Sequence, residues 1–144
     1  MAINVLLVED SPGDVRLTIE AFREANSNVR VHVATDGVEA MSFLRHEGPN
    51  ALVPRPDLIL LDLNLPRMDG REVLAHIKDD DDLKTIPTVI LTTSEAEVDI
   101  LKSYQLQANC YLSKPVQLDA FEMIVQSIND FWLNKAKLPH QDAS

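Results

Sequence analysis

Short, continuous apolar runs recur along the chain, and each run is too short for a typical helix. Such runs are typical of strands that are covered on both faces, as the strands of a parallel sheet are. The predicted strands are Val5–Val8, Val29–Ala34, Leu58–Leu61, Thr88–Leu91 and the weaker Cys110–Leu112.

The segments between these runs show helical periodicity. Ser11 is the expected N-cap of the first helix, with Pro12 in its first turn. The last helix is the clearest, and we expect its apolar residues to form one stripe: Phe121, Ile124, Val125, Ile128, Phe131 and Trp132. Alternation of strand and helix predicts an α/β fold, with a parallel sheet that carries helices on both faces.

The charge balance restricts the class of partner. With 13 Lys and Arg against 23 Asp and Glu, the 144-residue chain has a formal net charge of −10. This argues against binding to nucleic acid or to an anionic lipid surface, since both attract basic proteins. The N-terminus lacks the features of a signal peptide, and no apolar stretch approaches the roughly 18 residues of a membrane span. We therefore expect a cytoplasmic protein.

Charged and hydroxyl side chains follow the predicted strands. Glu9 and Asp10 follow the first strand, Asp62 ends the third, Thr92 ends the fourth and Lys114 follows the fifth. In parallel α/β sheets these strand ends meet at one edge, which is where ligands bind. The carboxylates repel one another there, and a hard cation such as Mg²⁺ relieves that repulsion. The backbone oxygen of Asn64 is a further candidate ligand.

This constellation resembles the receiver domains of two-component response regulators, the CheY-like family. The resemblance covers roughly residues 3–133. It is carried by Glu9-Asp10, by Leu60 to Pro66 around Asp62, by Met68-Asp69-Gly70, by Thr92, and by Tyr111 ahead of Lys114-Pro115. It implies a three-layer, flavodoxin-like (βα)5 fold with strand order 2-1-3-4-5. It also implies a receiver domain over residues 1–134, followed by a polar tail over 135–144.

The resemblance implies a role for each site residue. Asp62 would accept a phosphoryl group from a sensor histidine kinase, and the chain would not be an enzyme in the ordinary sense. Mg²⁺ would be held by Glu9, Asp10, Asp62 and the backbone oxygen of Asn64. Thr92 and Lys114 would bind the phosphoryl oxygens, and Thr92 and Tyr111 would form the conformational switch.

At finer grain, the chain resembles the small stand-alone regulators of cyanobacterial and bacterial phytochrome kinases. The motifs that carry this likeness are Asp62 to Pro66, Gly70 to Leu74, Val89 to Ser94 and Phe131-Trp132-Leu133. It implies a phytochrome kinase as a partner. It also implies a homodimer through the fourth and fifth helices or the Phe131-Trp132 region. About ten residues follow the last helix, so we expect no output domain.

These residues argue against two other functions. FMN binding is disfavoured because Glu9 and Asp10 put negative charge where a phosphate would lie. A phosphatase of the haloacid dehalogenase type needs a second Asp two positions after its nucleophile, where this chain has Asn64, which cannot serve as the general acid. Three outputs stay open: regulation of a target by the phosphorylated form, service as a phosphorelay intermediate or phosphate sink, and phosphate-independent binding of a partner.

Overall fold

The computed structural model describes residues 2–25, 28–133 and 136–139. Its centre is a single sheet of five parallel strands in the order β2-β1-β3-β4-β5. The strands are β1 (Ile3–Val8), β2 (Val29–Ala34), β3 (Leu58–Leu61), β4 (Thr88–Thr92) and β5 (Cys110–Ser113). The predicted strands and the predicted strand order are confirmed.

Both faces of the central strands are buried, which explains why the sequence shows continuous apolar runs instead of alternation. Successive side chains of a strand point to opposite faces. Leu58 and Leu60 therefore pack into one apolar cluster, and Ile59 and Leu61 pack into another. All four are fully buried.

Helices cover each face of the sheet. Helices α1 (Pro12–Ala25) and α5 (Leu118–Ile128) pack on the first face, where Phe22, Phe121 and Val125 are buried. Helices α2 (Gly37–Leu44) and α3 (Gly70–Asp79) pack on the second face. Helix α4 (Glu97–Gln105) contacts β5. The predicted three-layer, flavodoxin-like architecture is confirmed.

Three helices begin at side-chain caps. The Oγ of Ser11 accepts a hydrogen bond from the backbone N–H of Asp14, which supports the predicted cap of α1. Asp36 caps α2 in the same way, and Asp69 caps α3 by accepting from the backbone N–H of Arg71. The cap at Asp69 places the start of α3 close behind the loop that follows β3.

The predicted single stripe on the last helix is wrong at Phe131, whereas Trp132 still packs against the apolar cluster of α1 and α5. The α-helix stops at Ile128 and continues as a wider π-helical turn over Asn129–Leu133. A π turn changes the angle between successive side chains. Leu133 is therefore buried, whereas Phe131 is 56% exposed.

Val98, Leu101 and Tyr104 recur at helical spacing along α4, but these side chains face outward. Val98, Leu101 and Tyr104 are 72%, 60% and 49% exposed, whereas Ser103 is buried. The periodic residues of α4 therefore form a surface and not a core face.

Residues 134, 135 and 140–144 lie outside the described part of the chain, so the domain boundary at 134 stays a prediction. Leu138, within the predicted polar tail, packs against the apolar cluster of α1 and α5.

Among the described residues, no helix is both long and apolar enough to cross a bilayer.

Candidate functional site

Four of the five predicted strand-end side chains meet in the interior at the carboxyl edge of the sheet. Glu9 follows β1, Asp62 follows β3, Thr92 is the last residue of β4 and Lys114 follows β5. All four are buried. Because the strands are parallel and in register, residues up to 105 positions apart come within hydrogen-bond distance.

Asp62 lies at the centre of this group, and its carboxylate is held at both oxygens. Its Oδ1 accepts hydrogen bonds from the Thr92 hydroxyl at 2.7 Å and from the backbone N–H of Asn64 at 3.2 Å. Its Oδ2 accepts from the Lys114 ammonium at 3.1 Å. These donors fix the carboxylate in one orientation, which is what a positioned nucleophile requires.

The backbone around Asp62 is held just as closely. Its N–H donates to the carbonyl oxygen of Val8 at 3.1 Å, which ties the residue to β1. Gly70 passes directly behind it: a Cβ at position 70 would lie 2.2 Å from the Asp62 carbonyl oxygen. Only glycine allows α3 to begin this close to the loop after β3.

Asp62 forms an acidic cluster with two further carboxylates. Ligand oxygens of Glu9, Asp10 and Asp62 all lie within 4.8 Å of one another, with Asp10 exposed and the other two buried. Clustered carboxylate oxygens that are partly open to water are the donors that Mg²⁺ prefers. The residues therefore fit the predicted metal. Asn64 is exposed next to the cluster, and the role of its carbonyl oxygen stays a prediction.

Lys114 is surrounded by carboxylates. Its Nζ contacts Glu9 Oε1, Asp62 Oδ2 at 3.1 Å and Asp14 Oδ2 at 3.0 Å. Burial by itself would lower the pKa of Lys114, but hydrogen bonds and charges from these three acids hold that pKa above its usual range. The ammonium is therefore charged at neutral pH and can act as a fixed point charge.

Burial by itself raises the pKa of Glu9, whereas it would lower the pKa of Lys114. Loss of solvent raises the pKa of Glu9 to about 7, and the attraction of Lys114 and a hydrogen bond from the backbone N–H of Ser11 only partly offset this. The nearby charge of Asp62 adds to the increase. A second positive charge beside Lys114 would favour the ionised form of Glu9, as a bound cation does.

Tyr111 forms a hydrogen bond to the loop between β4 and α4. Its hydroxyl donates to the carbonyl oxygen of Ser94 at 2.9 Å, and its ring is half-buried. The Ser94 hydroxyl in turn donates to Asp99 on α4 at 2.6 Å. Tyr111 thus contacts the segment that directly follows Thr92, and its role as a switch residue stays a prediction.

Sequence reasoning missed two groups. Asp14 lies in the first turn of α1 and contacts Lys114, and the available signal was an acidic residue in the first turn of the predicted helix. Arg71 pairs with Asp99 through two bonds of 2.7 and 2.9 Å and also contacts Asp69. It links the start of α3 to the start of α4. No spacing in the sequence indicates this pair, because it depends on how the two helices are placed.

Comparison with known proteins agrees with this geometry. A model of the response regulator receiver domain matches residues 5–126. The response regulator Rcp1 of Synechocystis sp. PCC 6803 is 50% identical over 135 residues, which are 94% of this chain and 92% of Rcp1.

Solved structures give the same result. The phosphorylated cyanobacterial phytochrome response regulator RcpA superposes with a TM-score of 0.95 at 50% identity, over 97% of this chain and all of RcpA. The Mn²⁺-bound form of Rcp1 gives a TM-score of 0.92 at 48% identity, over 96% of this chain and 99% of that one. The chain therefore belongs to the response regulator receiver domain family.

Proposed function

We propose that Asp62 accepts a phosphoryl group from a sensor histidine kinase in a Mg²⁺-dependent reaction, and that the chain signals through the resulting change of conformation. The observation that carries this proposal is the Asp62 carboxylate, held by Thr92 and Lys114 beside an acidic cluster. The chain acts as a phosphoacceptor in the cytoplasm, and not as an enzyme with a released product.

The chemistry follows from the groups present. An oxygen of Asp62 attacks the phosphorus of a phosphohistidine, a new P–O bond forms, and the P–N bond breaks with its electron pair leaving on the imidazole. Lys114 supplies positive charge at the phosphoryl oxygens. Mg²⁺, held by Glu9, Asp10, Asp62 and the Asn64 backbone oxygen, would neutralise further negative charge there. Oxygen donors fit such an ion, and the related Rcp1 has been crystallised with Mn²⁺.

The conformational response begins at Thr92. Its hydroxyl donates to Asp62 in the structure and can turn to donate to a phosphoryl oxygen instead. Such a movement would shift the loop that begins at Thr93 and carries Ser94. The Tyr111 hydroxyl donates a hydrogen bond to the Ser94 carbonyl oxygen, so the position of the Tyr111 side chain would change with that loop. Phosphorylation then shifts a two-state equilibrium without changing the fold.

The similarity to phytochrome response regulators supports a particular class of histidine kinase as the partner. Half of the residues are identical to those of Rcp1, and RcpA is a phytochrome response regulator of nearly the same length. We infer that a phytochrome histidine kinase supplies the phosphoryl group.

The outward apolar face of α4, formed by Val98, Leu101 and Tyr104, and the exposed Phe131 support a homodimer through α4 and α5 or the Phe131-Trp132 region.

Phosphotransfer from a labelled phytochrome histidine kinase tests the proposal. We expect label to move to the wild-type chain, but not to Asp62→Asn. Transfer only from kinases without a phytochrome sensor would contradict the proposed partner. Absence of transfer from every kinase, combined with unchanged partner binding by Asp62→Asn, would favour a phosphate-independent interaction module. Onward transfer of the label to a histidine phosphotransfer protein would favour the phosphorelay output.

A further inference from the structure

Residues 64–68 form the middle of the loop between β3 and α3, and one ion pair ties them to the rest of the fold. The backbone N–H groups of Asn64 and Leu65 donate back to the two residues that open the loop. Among the described residues, the hydrogen bond from Arg67 Nη1 to Asp36 Oδ2, at 3.2 Å, is the one that joins residues 64–68 to another element.

Asp36 is a fixed anchor for Arg67. Its side chain is 10% exposed, and its other oxygen, Oδ1, caps α2 by accepting a hydrogen bond from the backbone N–H of Glu39 at 2.7 Å. The loop also packs tightly on the next residue, because a Cβ at Gly37 would lie 2.0 Å from the Met68 carbonyl oxygen. The loop therefore rests on the start of α2, and the ion pair holds it there.

Arg67 keeps this position at a conformational cost. Its φ is +67°, in the left-handed region that a residue with a Cβ rarely adopts. Such a backbone persists only where the surrounding contacts hold it. Loss of the ion pair would therefore allow residues 64–68 to leave the arrangement seen in the structure.

We propose that Arg67 is a positioning residue for the metal site: its pair with Asp36 holds the Asn64 peptide beside the acidic cluster. This rests on the proposed function, in which the backbone oxygen of Asn64 is a Mg²⁺ ligand. The positive charge of Arg67 by itself repels a cation. The charge of Arg67 and its hold on the loop thus affect Mg²⁺ binding with opposite signs, so a substitution separates the two effects.

Mg²⁺ binding by variants at position 67 tests this proposal, with the Kd measured by NMR titration of the amide resonances. Arg67→Gln keeps a side chain on the strained backbone but loses the ion pair. We expect it to bind Mg²⁺ about two- to fivefold more weakly than the wild type, as the strength of an exposed ion pair implies. Removal of positive charge alone would leave the Kd unchanged or lower it. Arg67→Lys keeps the charge and a donor, so it should bind like the wild type.

Two controls separate position from charge. Arg16 is exposed on α1 and lines the same groove as Glu9 and Asp10, so Arg16→Gln makes the same charge change near the acidic cluster and leaves the loop on α2. It should bind Mg²⁺ at least as tightly as the wild type. The double variant Arg67→Gln, Asp36→Asn keeps the net charge of the wild type, and Asn can still cap α2. It should bind Mg²⁺ as weakly as Arg67→Gln.

Two results would overturn the role of Arg67. Mg²⁺ binding by Arg67→Gln as tight as that by Arg16→Gln would show that the ion pair does not position the loop. Wild-type affinity in the double variant would show the same. Both results leave the proposed function intact, whereas a wild-type chain that binds no Mg²⁺ would refute the Mg²⁺-dependent function together with the role of Arg67.

Discussion

The Thr92 hydroxyl lies 2.7 Å from Oδ1 of Asp62, although thirty positions separate the two residues in the sequence. Both residues end neighbouring parallel strands or follow them directly, so the register of β3 and β4 brings them together. The hydrogen bond joins the proposed acceptor of the phosphoryl group to the first residue of the proposed switch.

Removal of the Thr92 hydroxyl tests this relationship. On the proposed function, the hydroxyl turns to a charged phosphoryl oxygen as the transition state forms, and loss of a hydrogen bond of about 1.5–3 kcal/mol there slows the reaction roughly tenfold or more. We expect Thr92→Ala to form the acyl phosphate with acetyl phosphate about tenfold more slowly than the wild type, as measured by intact mass over time. Thr92→Ser keeps the hydroxyl and should stay near the wild-type rate. Equal rates for Ala and Ser would contradict a role for the hydroxyl.

Gly70→Ala should destabilise the fold. The new Cβ would lie 2.2 Å from the Asp62 carbonyl oxygen and 2.6 Å from Leu63 Cα, and backbone atoms cannot move aside cheaply. We expect the free energy of unfolding to fall by about 2–4 kcal/mol in urea denaturation.

Gly13→Ala is the matched control for Gly70→Ala. It lies in α1, and a Cβ there would approach no atom closer than the Ser11 Oγ at 4.0 Å. It should leave stability unchanged or raise it by up to about 1 kcal/mol. A similar loss at both positions would show that close packing behind Asp62 is not the cause.

Mg²⁺ should stabilise the folded chain. Glu9, Asp10 and Asp62 repel one another in the absence of a cation, and an ion that binds only the folded state stabilises it by mass action, by about 2.7 kcal/mol at 100 times its Kd. We expect the Tm to rise with Mg²⁺ and to return to its starting value with a chelator. Asp10→Asn should reduce the rise, and Asp119→Asn, at an exposed position of α5, should not. An equal rise in all three proteins would place the ion elsewhere.

Arg71→Lys should loosen the start of α4. The guanidinium forms two bonds with Asp99 and a further contact with Asp69, and a lysine cannot reproduce this planar geometry. We expect faster amide hydrogen exchange in residues 94–99, with little change in β1 and β3. Arg67→Gln removes a separate ion pair with Asp36 and serves as the control. Unchanged exchange at 94–99 in Arg71→Lys would show that the loop is held by other contacts.

The sequence predicts the sheet and the site because both depend on strand ends. A run such as Leu58–Leu61 can be buried on both faces only within a sheet covered by helices, and this fixes where Asp62 begins the following loop. Parallel strands then bring Asp62, Thr92 and Lys114 together without any detail of helix packing. The residue types at these ends carry the resemblance that implies the chemistry.

The features that sequence reasoning missed depend on the rotation and placement of helices. Asp14 reaches Lys114 only because the first turn of α1 faces the sheet edge. Val98 and Leu101 have the spacing of a helix face, but spacing does not say whether that face is covered. Phe131 leaves the expected stripe because the backbone widens at Asn129, which no periodicity of side chains indicates.

The most direct test of the central claim is the intact mass of the chain after incubation with acetyl phosphate and Mg²⁺. The wild type and the control Asp69→Asn should each gain one phosphoryl group, and a chelator should abolish the gain. Asp62→Asn should gain none. A phosphoryl group on Asp62→Asn in the same yield as on the wild type would contradict the assignment of Asp62 as the acceptor.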